Sequence, residues 1–454
     1  MKYGLIGRTF AIAVAAVAIL IPIWMIEGKI SERQGRAHQV VTQFAAETSA
    51  SQLVVGPVLA LTCEEAVEVE RQVMHGGKAE TIRENRTQPC ATGYFPPRAF
   101  HATASMPVES LHRGIYPIRL YRAKLSLSGD VDWPALPSTN DAVSREWKQA
   151  YLVTYVRDPR GIKSITPSDF GGTEATLDRF ALREPIGSYV SRRPGTRVPF
   201  AYDMTLVGTS SLGIAPVGDQ SDIQFTSDWP HPSFGSDWSP DQRNVGAAGF
   251  DARWAMTSVA TGGQATWSKW MSATAIDTAP SAKVSLFDPV NVYSLSYRAT
   301  EYAFLFVLFT FTALALAEAV AGIRLHVVQY LLVGSALAVF FLLLIAMSEH
   351  LAFDTSYLAA ASACVCLLTF YLRHPLGSWP RALLFSGIFA ALYATLYSLL
   401  QSEDNALLMG SLVTFSILAL VMVATRKVEW ARLDVSIMGT PRPSRASTPG
   451  GVPT

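Results

Sequence analysis

The chain has 454 residues, half of them hydrophobic and 16% charged, with a net charge of +1. The charged fraction lies well below the roughly 25% of soluble domains. A near-neutral chain without a basic stripe has no electrostatic footprint for nucleic acid, and four cysteines are too few for a disulfide-built scaffold.

An uncharged apolar run occupies residues 9–26, with Lys2 and Arg8 before it and Glu27 and Lys29 after it. A hydrocarbon core of about 30 Å takes roughly 17–25 apolar helical residues to cross. A cleaved signal peptide would have a shorter core and a small-x-small end. This run ends in bulky Ile23-Trp24-Met25-Ile26, which predicts an uncleaved anchor. Residues 27–50 lack proline and place Ile30, Ala37, Val41 and Phe44 at helical spacing, so the helix is expected to continue out of the membrane.

At Leu53 the pattern changes. Short β-rich runs at 53–61, 116–127, 151–156, 200–207, 222–225 and 282–286 are separated by Gly, Pro, Asp and Ser clusters. Tyr121, Ala123, Leu125 and Leu127 alternate with Arg122, Lys124 and Ser126, as in a half-buried strand. Many short strands with turn signals predict an antiparallel, sandwich-like region, built as one β subdomain or two.

Five apolar runs then crowd together at 302–321, 327–348, 356–372, 382–400 and 406–425. With the N-terminus inside, the inner segments hold Lys2, Arg8, Arg324, Arg373, Arg381, Arg426, Lys427 and Arg432. The short outer loops, 349–355 and 401–405, carry Glu349, Asp354, Glu403 and Asp404 and no Lys or Arg. The positive-inside rule then puts both termini in the cytoplasm and 31–298 outside. Residues 433–454, rich in Pro, Ser, Thr and Gly, read as a disordered cytoplasmic tail whose Arg442 and Arg445 touch anionic lipid only weakly.

The expected architecture is therefore an α+β membrane protein with six transmembrane helices. Residues 1–30 form the N-terminal segment and anchor, 31–298 a large extracytoplasmic antiparallel β-rich domain, 299–426 a five-helix bundle, and 427–454 the tail.

Residues able to carry chemistry are sparse. Cys63 and Cys90 lie in the outer region, where they form a disulfide or stay as two free buried thiols. Cys364 and Cys366 lie two apart on a helix and face different directions. The string Ser227-Asp228-Trp229-Pro230-His231-Pro232 holds His231 in stiff, extended backbone. Trp229 and His231 form either a contact surface or a scaffold turn whose aspartates bond local amides while the aromatics cap the core. Glu318 lies inside a span and either pairs with Arg324 or His326 or serves transport or signalling. Glu349 and His350 sit at a helix exit, where an acid–base pair competes with an ordinary polar helix end. There is no HExxH, no phosphate-binding glycine loop and no GxSxG, so no catalytic residue, metal or cofactor is expected.

Several long strings resemble one family. Residues 298–311, 324–350 and Asp228-Trp229-Pro230-His231-Pro232-Ser233-Phe234 look like the CreD family of bacterial inner-membrane proteins, as do 53–61 and 249–254. The likeness runs from the anchor to Trp430. It implies a place in the inner membrane and a role in cell-envelope integrity, colicin tolerance and the response to β-lactam stress beside a two-component system. It brings no catalytic residues. The expected partners are the lipid bilayer and an envelope component, protein or cell-wall material. A transporter or channel, and a membrane-embedded or envelope-modifying enzyme, are the alternatives.

Overall fold

The computed structural model describes residues 5–75, 78–136, 142–166, 176–178, 181–185, 193–235, 237–262, 278–286, 292–321, 325–402 and 406–426. The fold divides into a β unit, residues 37–289, and a helical unit made of residues 1–36 and 290–454. Helix α1 (Leu5–Glu47) is continuous between them, at about 65 Å of helical rise. Past the apolar run it carries Lys29–Glu32 and Arg36–Glu32 pairs at helical spacing, as a helix surface in water does.

In the β unit the first sheet contains β1 (Gln52–His75), β2 (Lys78–Pro89), β3 (Gly93–Phe95), β7 (Ala142–Val156), β9 (Thr176–Asp178), β10 (Ala181–Pro185), β12 (Ser211–Ile214), β14 (Pro232–Ser233) and β17 (Ala282–Leu286). The second contains β4 (Ala99–Ser105), β5 (Val108–Arg113), β6 (Tyr116–Asp132), β8 (Ile162–Ile165), β11 (Arg197–Thr209), β13 (Gln220–Ser227), β15 (Gln242–Gly246) and β16 (Gly249–Thr257). A short α2 (Ser258–Thr261) follows β16. All six β-rich runs read from the sequence fall on strands. Pairing is mostly antiparallel, but β1–β12 and β4–β13 are parallel, so the sheets are mixed rather than purely antiparallel.

One core cluster draws side chains from both sheets, as a two-layer sandwich requires. Strands β4, β6, β11 and β16 alternate buried and exposed positions. Residues 53–61 of β1 are instead buried without a break, the pattern of a strand covered on both faces. Trp254 and Phe225 meet edge to face at 5.6 Å inside this core. Gly249 sits at φ +126°, where a Cβ would fall on the Ser227 carbonyl, so only glycine fits that tight turn.

The C-terminal end of α1 is held by a polar joint. Gln52 Nε2 donates to Ser49 Oγ (2.6 Å), the Asp158 carbonyl (2.9 Å) and the Val207 carbonyl (3.2 Å), while its Oε1 accepts the Asp158 amide at 3.1 Å. The Asp158 carboxylate accepts from Arg160 Nε (2.8 Å), Arg160 Nη2 (2.7 Å) and the Ala50 amide (3.1 Å). Arg160 also donates to the Ala46 carbonyl of α1. Gly161 lets the group close, since a Cβ there would collide with Gln52 and Val207.

In the helical unit α3 (Val292–Glu301) and α4 (Ala303–Ala321) meet at a 46° bend, followed by α5 (Val327–Ser348), α6 (Phe353–Leu376), α7 (Trp379–Gln401) and α8 (Ala406–Thr425). Each apolar run of the sequence is helical. Among the described residues four helices are long and apolar enough to cross a membrane, or five if the bent pair counts as one span; 408–423 is a shorter apolar helix. Gly334 of α5 admits Ile19 of α1 at close range, the small-residue contact that brings membrane helices together. Phe340, Tyr357 and Tyr393 build an aromatic centre with ring spacings of 4.7–5.4 Å. Helix α6 ends at Gly377 (φ +68°), and Arg373 stacks 4.2 Å over Trp379 across the turn into α7.

The Arg160 hydrogen bonds hold the Asp158 carboxyl below its ordinary range. A depressed folded pKa gives stability that is complete above the ordinary carboxylate range and is lost as pH falls through the folded value. Asp158→Asn should therefore destabilise the purified full-length protein at pH 7 by about 1–3 kcal/mol. Its deficit against the parent in thermal unfolding should narrow below about pH 4. A deficit that does not change between pH 7 and pH 3 would refute an ionic role for this group.

Candidate functional site

The Trp229–His231 corner follows the end of β13. Trp229 Nε1 donates to the His231 carbonyl at 2.9 Å, and the two rings meet edge to face at 6.1 Å. The Arg119 guanidinium lies 4.9 Å over the Trp229 ring, a cation–π contact between β6 and the corner. Trp229 is half-buried against the core cluster with Phe234 and Trp238, while His231 is exposed. Phe234 packs on Phe250 and Trp254 at 5.7 and 6.0 Å, and Trp254 Nε1 donates to the Trp238 carbonyl at 3.0 Å.

Among the described residues Asp228 and Asp237 bond distant amides rather than the local ones that the turn reading expects. Asp228 accepts the Val108 amide at 2.9 Å and Asp237 the Ser281 amide at 3.1 Å, so each ties together segments distant in sequence. Beside Asp228, Trp229 N donates to Ser227 Oγ at 3.1 Å.

Glu318 is half-buried near the end of α4 and accepts the Leu325 amide, a backbone partner at the start of α5. His326 does not pair with it. It caps α5, with Nδ1 accepting the Val328 amide at 3.4 Å while Gln329 Oε1 accepts the His326 amide at 2.8 Å. Arg324 lies outside the described residues, as does the tail from 427. Glu349 faces Arg33 of α1, with Oε1 3.6 Å from Nε and only 12% of its side chain exposed. His350 is exposed and its amide donates to the Met347 carbonyl at 3.0 Å. Glu318 and Glu349 lie near opposite ends of α5, whose 22 residues rise about 33 Å, so they do not share one site.

Cys63 and Cys90 are joined as a disulfide with their Cα atoms 5.4 Å apart. The bond sits at the root of an arm that the strand reading missed. Among the described residues β1 pairs with β7 as far as Val67. Beyond it, β1 and β2 run together from Glu68↔Asn85 to His75↔Lys78. Residues 68–72 and 81–89 are exposed on both faces of this ribbon, whose reach is about 25 Å. Val69 and Ile82 are large apolar residues on its surface, and Arg83 bridges Glu70 at 3.2 Å. At the root Glu65 accepts from Gln88 (2.9 Å) and Arg145 Nε (2.8 Å), and the hydrogen bond from Gln88, then that from Arg145, pulls its carboxyl below the ordinary range. Gly76-Gly77 between two alternating runs was the available hairpin signal. For the joint, the available signal was Asp158-Pro159, an N-cap residue before a first-turn proline.

The family model described as inner membrane protein CreD matches residues 4–431. The chain belongs to the CreD family. Inner membrane protein CreD of Escherichia coli (strain K12) is 30% identical over 446 residues, covering 95% of this chain and 94% of that protein. CreD membership and the long apolar helices together make this a multi-pass inner membrane protein. The family is named for its membrane and not for a reaction.

Two outcomes follow for the CreD chain. Trp254, fully buried, should cost about 3–5 kcal/mol when cut to Ala. Half-buried Trp229→Ala should cost about half as much, and His231→Ala almost nothing, in thermal unfolding of the full-length protein. If Trp229→Ala melts like the parent, the corner is not a scaffold element and becomes a contact surface. For Glu318, the Gln variant keeps an acceptor for the Leu325 amide and should accumulate and melt nearly as the parent does. The Ala variant should lose about 1–3 kcal/mol by removing that hydrogen bond. A Gln variant that is stable but inactive in cells would instead mark a charge-dependent role.

Proposed function

We propose that this chain is a six-span inner membrane protein with both termini in the cytoplasm and residues 31–298 in the periplasm. There the β unit contacts an envelope component, protein or cell-wall material, and so supports envelope integrity and the response to β-lactam stress. The role is non-enzymatic: the chain holds a contact rather than turning over a substrate.

The observation that carries this reading is the β1–β2 arm. An isolated two-stranded ribbon is marginal in water without further packing. Here it is long, pinned at its root and solvent-exposed on both faces, which suits a reaching contact element better than a core strand. A disulfide at the root fits an oxidising compartment. The separation of Glu318 from Glu349 weighs against the transporter reading, which needs ionisable groups converging on one cavity near mid-membrane.

Reporter fusions test the placement. Fusions after Ser31, Leu351 and Gln401 should report the periplasm, and fusions after Arg373 and Lys427 the cytoplasm. A cytoplasmic report from within 31–298 would defeat the proposal, because every short loop would then oppose the positive-inside rule.

A further inference from the structure

Helix α8 lies loosely on the bundle. None of its residues 408–423 is buried, whereas α4 buries Ala303, Phe306, Val307, Phe311 and Leu314. Between α4, α7 and α8 a cavity of about 500 Å³ remains, within the roughly 300–1,000 Å³ typical of small-molecule sites. Phe309 and Leu316 of α4, Ile388 and Leu392 of α7, and Leu420 of α8 give it an apolar wall. Among the described lining residues Arg381 is the one charged group, and it stands at one end.

The dimensions point to one occupant. From Arg381 to Leu392 helix α7 rises about 16 Å. That is close to half of the roughly 30 Å hydrocarbon core, so the cavity is one leaflet deep. Arg381 lies in the first turn of α7, next to Trp379, which is 48% exposed in the manner of an interfacial aromatic. A guanidinium at headgroup level above an apolar slot of leaflet depth matches an anionic phospholipid, with its phosphate on Arg381 and one acyl chain along α7. The guanidinium fork can hold a lipid phosphate by two parallel hydrogen bonds, and an anionic lipid brings no headgroup ammonium to oppose the positive charge beside it. Basic pockets between membrane helices recognise anionic headgroups by the same chemistry.

We propose that the cleft between α4, α7 and α8 is a specific site for an anionic phospholipid, with Arg381 selecting the headgroup. The site fills the space that α8 leaves open and couples that helix to the bundle through lipid rather than through interlocked side chains.

The test uses the full-length protein, exposed to equimolar phosphatidylglycerol and phosphatidylethanolamine and read by native mass spectrometry. The retained lipid should be enriched in phosphatidylglycerol by about fivefold, the factor one basic residue supplies at an anionic surface. Arg381→Gln should abolish the enrichment and Arg381→Lys should keep most of it. Ile388→Trp, which fills the slot and leaves Arg381 in place, should reduce retention of both lipids and covers the case in which Arg381→Gln fails to fold. Equal retention of the two lipids by the parent protein would overturn the proposal, as would enrichment that survives Arg381→Gln or retention untouched by Ile388→Trp. A lipid-free dimer as the retained species would also overturn it and give the cleft to a second copy of the chain.

Discussion

Hydrocarbon offers no partner to a peptide N–H or C=O, and this constraint sorts the whole chain. Each of the six long apolar runs becomes a helix, which satisfies its own backbone, while among the described residues the strands fall in the unit of residues 37–289. Three polar side chains near helix ends find partners there. Glu318 takes a backbone amide at the α4–α5 turn, His326 caps α5, and Glu349 faces Arg33. Each charge or cap stands where a helix ends and the backbone would otherwise need water.

The β unit answers the opposite problem. Its strands have edges, and its core must come from two sheets rather than from lipid. The buried run of β1 supplies the central strand, and the Asp158–Gln52 joint fixes where that strand begins, only a few residues after α1 ends. Ser49 and Gln52 close the short connection, Asp158 and Arg160 come from more than a hundred residues away, and Gly161 makes room for them.

Much of this was legible in the chain because the physics is local. A 3.6-residue or two-residue period of apolar side chains is a property of neighbours, so Tyr121 to Leu127 announced a strand and the apolar runs announced helices. What was not legible depends on distant partners. The parallel direction of β1 against β12 is set by the path between them, not by either segment. The partner of Glu349 is Arg33, over three hundred residues earlier. Glu318 accepts a backbone amide, a bond that no list of side chains displays. Asp228 reads as a turn residue and acts as a tertiary anchor.

The disulfide at the foot of the arm has a consequence for how the arm is specified. A ribbon exposed on both faces has no core to choose its register, and a slip of one residue would exchange its two faces. Glu70 would then lose its place opposite Arg83, and Val69 would turn to the other side. The covalent link between Cys63 and Cys90 fixes the phase of the two strands at their origin, just before Glu64 meets Pro89. The disulfide and the Glu65–Gln88 hydrogen bond beside it together set which side chains this ribbon shows to each side. A chain folded in a reducing environment would hold that choice by hydrogen bonds alone.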